Sequence, residues 1–121
     1  MKVKNMAKII VAVANMSVRG ALTLRLTHEG HEVIEASDEN KATGLVHTVE
    51  HDIIVASLEQ SQQRMETFYL GLVRRDHGGK PVIFFTEDRP PSSIAAEVSY
   101  VAKPDVRDLV ARVEELLIGP A

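Results

Sequence analysis

The chain has 121 residues, no cysteine and a formal charge of −3. That length fits one domain with a core of its own, and the missing thiols exclude disulfide scaffolds, thiolate metal sites and cysteine nucleophiles. Hydrophobic residues make up 45% and charged residues 26%, as in a globular chain, and the mildly acidic balance gives no electrostatic footprint for nucleic acid.

The chain opens with "MKVKNMAKIIVAVANMS", three lysines ahead of a short apolar run. Ile9 to Ala14 is too short for the apolar part of a secretory leader and reads as a buried strand. No segment approaches the ~20 apolar residues of a membrane span, so a cytoplasmic protein is expected. Ser17 is then a candidate cap for a helix carrying Val18, Ala21, Leu22 and Leu26 on one face and ending near Gly30. "HEVIEAS", from His31, alternates as an outer strand does. Ser37 or Asp38 caps a second helix with Ala42, Leu45, Val46 and Val49 on one face.

"DIIVAS" is the third strand, and it delivers Ser57 to its carboxyl end. The third helix places Met65, Phe68, Tyr69 and Leu72 at helical spacing, until "DHGGKP" breaks it. "PVIFFT", Pro81 to Thr86, is the fourth strand and "VSYVAKP" supplies the fifth. Asp105 is the expected cap of a last helix with Val106, Leu109, Val110, Val113, Leu116 and Leu117 inward. Strands alternating with crossover helices predict a doubly wound α/β domain over 1–121, with its core in 8–117: a five-stranded parallel sheet covered on both faces. In such folds ligands sit beyond the carboxyl ends of the strands, which singles out Ala14 to Met16, Ser57 to Ser61, Thr86 to Asp88, and Lys103.

"SVRGAL", "HEVIEASDENKA", "KPVIFFT" and "YVAKPDVRDLVARVEELL" together resemble the receiver domain of bacterial two-component response regulators, over essentially the whole of Lys8 to Leu117. The most specific part is Tyr100, Lys103 and Pro104 before a capped amphipathic helix. The resemblance implies a flavodoxin-like strand order of 2-1-3-4-5. It also implies an acidic pair after the first strand that binds magnesium, an aspartate ending the third strand that accepts a phosphoryl group, and a threonine and a lysine that contact that group. Carried over position by position, the acidic pair falls on Val13 and Ala14 and the acceptor on Ser57, while Thr86 and Lys103 match. Tyr100 falls on the family's aromatic switch position. The interval between Thr86 and Lys103 holds only sixteen residues, "EDRPPSSIAAEVSYVA", fewer than the family usually has. A shortened fourth helix over Ser92 to Glu97 is therefore expected.

The chemical consequence follows from the residue types. Magnesium takes oxygen ligands that usually include carboxylates, and Val13 and Ala14 offer none. Without the metal, charge developing on a transferring phosphoryl group would meet only Lys103. A serine hydroxyl is a weak nucleophile without a base beside it, and no histidine or carboxylate is placed there by motif, although Glu59 and Glu87 could approach the site. Acyl-phosphate chemistry, magnesium and any other cofactor are accordingly expected to be absent, and the chain is not expected to be an enzyme.

Several residues have a plainer reading. Ser57 is expected to hydrogen-bond nearby backbone. Lys103 either binds an anion with Thr86 or pairs with Glu59 or Glu87. Tyr100 reads as an edge-strand tyrosine packed on the last helix. The pairs His28 and His31, and His47 and His51, have zinc-like spacings but lack a third ligand, and read as surface polar residues. Glu114 and Glu115 read as a solvated face. "VANMSVR" has no glycine-rich turn, which removes a dinucleotide site. The reading that results is a degenerate receiver acting independently of phosphorylation. Its partner is a protein, or a second copy docked through the last helix face, with no nucleic acid or membrane involved. The alternative is a sensor in which Ser57, Thr86 and Lys103 hold a small anion or metabolite.

Overall fold

The computed structural model describes residues 7–58, 62–73, 80–86, 90–94, 98–102 and 106–118. Five strands, β1 (Lys8–Val13), β2 (Glu32–Ala36), β3 (Ile53–Ser57), β4 (Val82–Thr86) and β5 (Ser99–Ala102), form one sheet in the order β2-β1-β3-β4-β5. Every neighbouring pair is parallel, as the alternation of strand and helix in the sequence requires. Helices α1 (Met16–His28), α2 (Glu39–Thr48), α3 (Gln62–Val73) and α4 (Val106–Ile118) cover the two faces.

Alternate strand residues feed two separate cores. Ile9, Val11, Val13, Val55, Ile83 and Phe85 pack beneath Leu22 and Leu26 of α1 and Leu109 and Val113 of α4. Ile10, Ala12, Ile54, Ala56 and Phe84 pack beneath Ala42 and Val46 of α2 and Met65 and Phe68 of α3. The three inner strands are therefore apolar at nearly every position, whereas β2 at the edge carries two exposed glutamates and is fully buried only at Ala36.

Some local expectations need correction. Asn15, not Ser17, caps α1: its backbone is extended and its side-chain oxygen accepts the Val18 N–H at 3.0 Å. Ser17 lies inside the first turn of the helix. Ala21 is exposed although its spacing placed it inward, so the buried stripe of α1 rests on Leu22 and Leu26 with Val18 beside them. For α2, Asp38 is the cap, accepting the Lys41 N–H at 2.8 Å. The end of α1 follows the sequence: Gly30 takes a φ of 97°, and the Gly30 and His31 N–H groups bond back to Thr27 and Leu26.

That turn swings His31 into the protein. His31 and His51 are both buried, at 4% and 1% exposure, and are not the surface residues their flanks suggested. His31 Nδ1 faces the Ala7 N–H at 3.4 Å and Nε2 faces Glu114 at 3.2 Å, which also takes Glu114 out of a purely solvated face. His51 Nδ1 lies 2.9 Å from the Val49 carbonyl. His28 and His47 are exposed, so neither pair converges on a metal.

The expected short helix over 92–97 is also revised where it is described. Residues 92–94 form one turn, closed by the Ile94 N–H on the Pro91 carbonyl at 3.1 Å, and 95–97 lie outside the described residues. The proposed cap Asp105 also lies outside them.

Candidate functional site

The carboxyl ends of β1, β3 and β4 meet at one edge of the sheet, because Val13 pairs with Ser57 and β4 continues the register beside β3. Ala14 is bound to that edge by its N–H, which donates to the Ser57 carbonyl at 3.0 Å. Val13 and Ser57 are wholly buried, Thr86 is 5% exposed, and Ala14 is exposed. The sheet thus brings Val13, Ala14, Ser57 and Thr86 to a common edge. Lys103, Glu59 and Glu87 lie outside the described residues.

Ser57 does not make the backbone hydrogen bond expected of it. Its Oγ is buried and has no hydrogen-bond partner among the described residues. Thr86, by contrast, is engaged. Chemically, the described part of the edge offers two buried hydroxyls, Ser57 and Thr86, beside the apolar side chain of Val13. Val13 belongs to the core cluster under α1 and α4, and Ala14 has no side-chain oxygen. A magnesium ion, which needs several oxygen ligands including carboxylates, does not fit the described residues.

What sequence reasoning left without a role is the shell around this edge. Arg19 donates from its guanidinium to the Val13 carbonyl at 2.8 Å and lies 3.9 Å from Glu35, which accepts the Thr23 hydroxyl at 2.5 Å. These contacts fasten α1 to the ends of β1 and β2. On the other side, an open cleft of about 330 Å³ is lined by Ala14, Asp38, Asn40, Leu58 and Arg64 among others. Its wall is closed by Arg64 on Glu39 at 2.9 Å. The spacing between Glu39 and Arg64 carries no sequence signal, since it exists only once α2 and α3 lie side by side.

Tyr100 stands apart from this edge. It pairs with Phe84 in the register of β4 and β5, while Thr86 pairs with Ala102 two residues further on. Tyr100 is half-buried and lines a groove of about 180 Å³ between β5 and α4, together with Ala102, Asp108, Arg112 and Glu115. Arg112 and Glu115 form an exposed pair at 3.5 Å on its rim.

No family model matches the sequence, and no curated protein matches it. Solved structures do. Chemotaxis protein CheY4 of Vibrio cholerae matches at TM-score 0.75 and 18% identity, covering 93% of this chain and 99% of that one. The response regulator receiver modulated diguanylate cyclase of Pelobacter carbinolicus matches at TM-score 0.76 and 22% identity, over 93% and 92%. A redox sensor of the streptococci, from a family evolved from two-component response regulators, matches at TM-score 0.75 and 20% identity, over 93% of this chain and 52% of that one. The fold is therefore that of response-regulator receiver domains, with the strand order the sequence implied.

Proposed function

We propose that this chain is a degenerate receiver domain that takes no phosphoryl group and serves as a protein-interaction module in a bacterial, cytoplasmic signalling pathway. The observation that carries the reading is the chemistry of three positions. Val13 and Ser57 are fully buried, Ala14 is a methyl group, and none of the three supplies a carboxylate where the fold's resemblance puts the metal ligands and the acceptor. Metal-assisted phosphoryl transfer draws its rate from charge stabilisation, which this set does not supply. The reading also makes the chain a non-enzyme without cofactors.

What remains for signalling is surface. The groove between β5 and α4, with Tyr100 on its floor and Asp108, Arg112 and Glu115 around it, supports docking of a protein partner or a second copy. The streptococcal redox sensors lend support of a general kind, since their family evolved from response regulators. These 121 residues contain no cysteine.

The first test is NMR with magnesium and beryllium fluoride, a mimic of the bound phosphoryl group. The amides of Ser57, Thr86, Tyr100 and Lys103 are expected to stay in place; a concerted shift at low ligand concentration overturns the reading. Crosslinking and pulldown then address the docking role, which fails if neither a partner nor self-association is found.

A second reading, a sensor of a small anion or metabolite, is favoured by one observation, the unpartnered Ser57 hydroxyl. It predicts a melting temperature that rises with phosphate, sulfate or nucleotide, because a ligand bound only to the native state stabilises it. The sealed position of that hydroxyl favours the interaction module.

A further inference from the structure

We propose that the exposed stripe Met16, Gly20 and Leu24 of α1 seats a second copy of this chain, packed antiparallel about a two-fold axis at Gly20. Met16 is 75% exposed and Leu24 74%, the two most exposed large apolar side chains among the described residues. Their spacing of four puts them on one ridge of the helix, with Gly20 between them. Ser17 and Ala21, on the neighbouring ridge, are exposed as well. Arg19 is the only charged residue between Met16 and Leu24. Its guanidinium is drawn off the stripe, donating to the Val13 carbonyl at 2.8 Å and facing Glu35 at 3.9 Å.

Nothing inside the chain calls for glycine at position 20. Glycine disfavours a helix interior, and a Cβ placed on Gly20 meets nothing within 4 Å. Gly44 on α2 is equally open, but the residues four away on its ridge are Asn40 and Thr48, so glycine alone marks no surface. What distinguishes Gly20 is the exposed apolar side chain on either side of it. A bare backbone between two such knobs is a notch into which another helix fits at close range. The occupant follows from symmetry: apolar, notch, apolar reads the same in both directions. Two copies related by a two-fold axis therefore place Met16 of each against Leu24 of the other, and Gly20 against Gly20. The stripe carries no charge, so the copies meet no repulsion along it, and antiparallel order keeps apart the two Arg25 side chains that a parallel order would bring together. One helix face is a small interface, so the association is weak and reversible. It uses a different face from the groove between β5 and α4, and stands whether or not that groove docks a partner.

Sedimentation velocity of the full chain between about 1 μM and 1 mM, the span of weak affinities, is expected to show a reversible monomer–dimer equilibrium. In a mixture of isotope-labelled and unlabelled chains, filtered NMR is expected to show an Overhauser contact from the Met16 methyl to the Leu24 methyls of the other copy. Within one chain these residues stand two turns apart, about 12 Å along the axis, beyond the reach of that effect. Leu24→Ser alters both halves of the contact at once and is expected to weaken dimerisation about tenfold, with the fold intact because Leu24 is exposed. Gly20→Gln is expected to weaken dimerisation while raising the unfolding midpoint of the monomer, since glutamine is the better helix former and its Cβ meets nothing in its own chain. Gly44→Gln is expected to raise the midpoint and leave dimerisation unchanged. A chain that stays monomeric over the whole range overturns the proposal and leaves the stripe to a different protein. A dimer undiminished by both Gly20→Gln and Leu24→Ser overturns it as well.

Discussion

Ser57 places a hydroxyl where no water reaches it and where no described group receives or donates its proton. Leaving a buried polar group unpaired costs about 1–3 kcal/mol in desolvation, while a single oxygen atom contributes little packing. Ser57→Ala is therefore expected to stabilise the chain by about 1 kcal/mol, raising the urea midpoint by roughly half a molar at an unchanged slope. A midpoint that falls would mean that the hydroxyl has a partner in solution. The sequence showed that a serine ends this strand, but a partner for a hydroxyl is a matter of three dimensions. Thr86, one strand over, is engaged, and nothing in the neighbouring residues of either position announces the difference.

Helix α1 separates what is legible from what is not. Leu22 and Leu26 of its buried stripe and its end at Gly30 follow from apolar spacing, which misplaced Ala21, and from the one residue that adopts a φ of 97° without strain. Its start does not follow, because Asn15 and Ser17 are both good caps and the choice is made by the extended backbone at Asn15. Asn15→Ala is expected to cost about 1 kcal/mol, and Ser17→Ala no more than about 0.5 kcal/mol, measured by chemical unfolding. Equal losses would return the cap to Ser17. The burial of His31 was equally hidden, since it depends on Glu114, 83 residues away on α4. Glu114 is partly exposed, with 31% of its side chain accessible, so its pairing with His31 is a modest tie between the start of β2 and the last helix. A double-mutant cycle of His31→Gln and Glu114→Gln is expected to show a coupling of about 0.5–1 kcal/mol, and an additive pair would mean that the contact holds nothing.

At the scale of the molecule, the sheet order was readable because alternating strands and helices admit few right-handed arrangements, and the continuous apolar runs named the inner strands. If the proposed reading holds, the same sheet makes phosphoryl chemistry hard to regain by one change. On the proposed reading, the positions of the acceptor and of the metal ligands fall on different strands, and Val13 is part of the core that α1 and α4 share. A carboxylate there would have to be buried in that apolar core, a costly exchange for the valine side chain. Ser57→Asp alone therefore restores an acceptor with no metal carboxylate beside it. With magnesium and a small acyl-phosphate donor, the variant is expected to show no phosphoryl adduct by intact mass, like the parent chain. An adduct that forms only with magnesium would mean that the loops past β3 and β4 supply the missing ligands, and the interaction-module reading would give way to a receiver one substitution from activity.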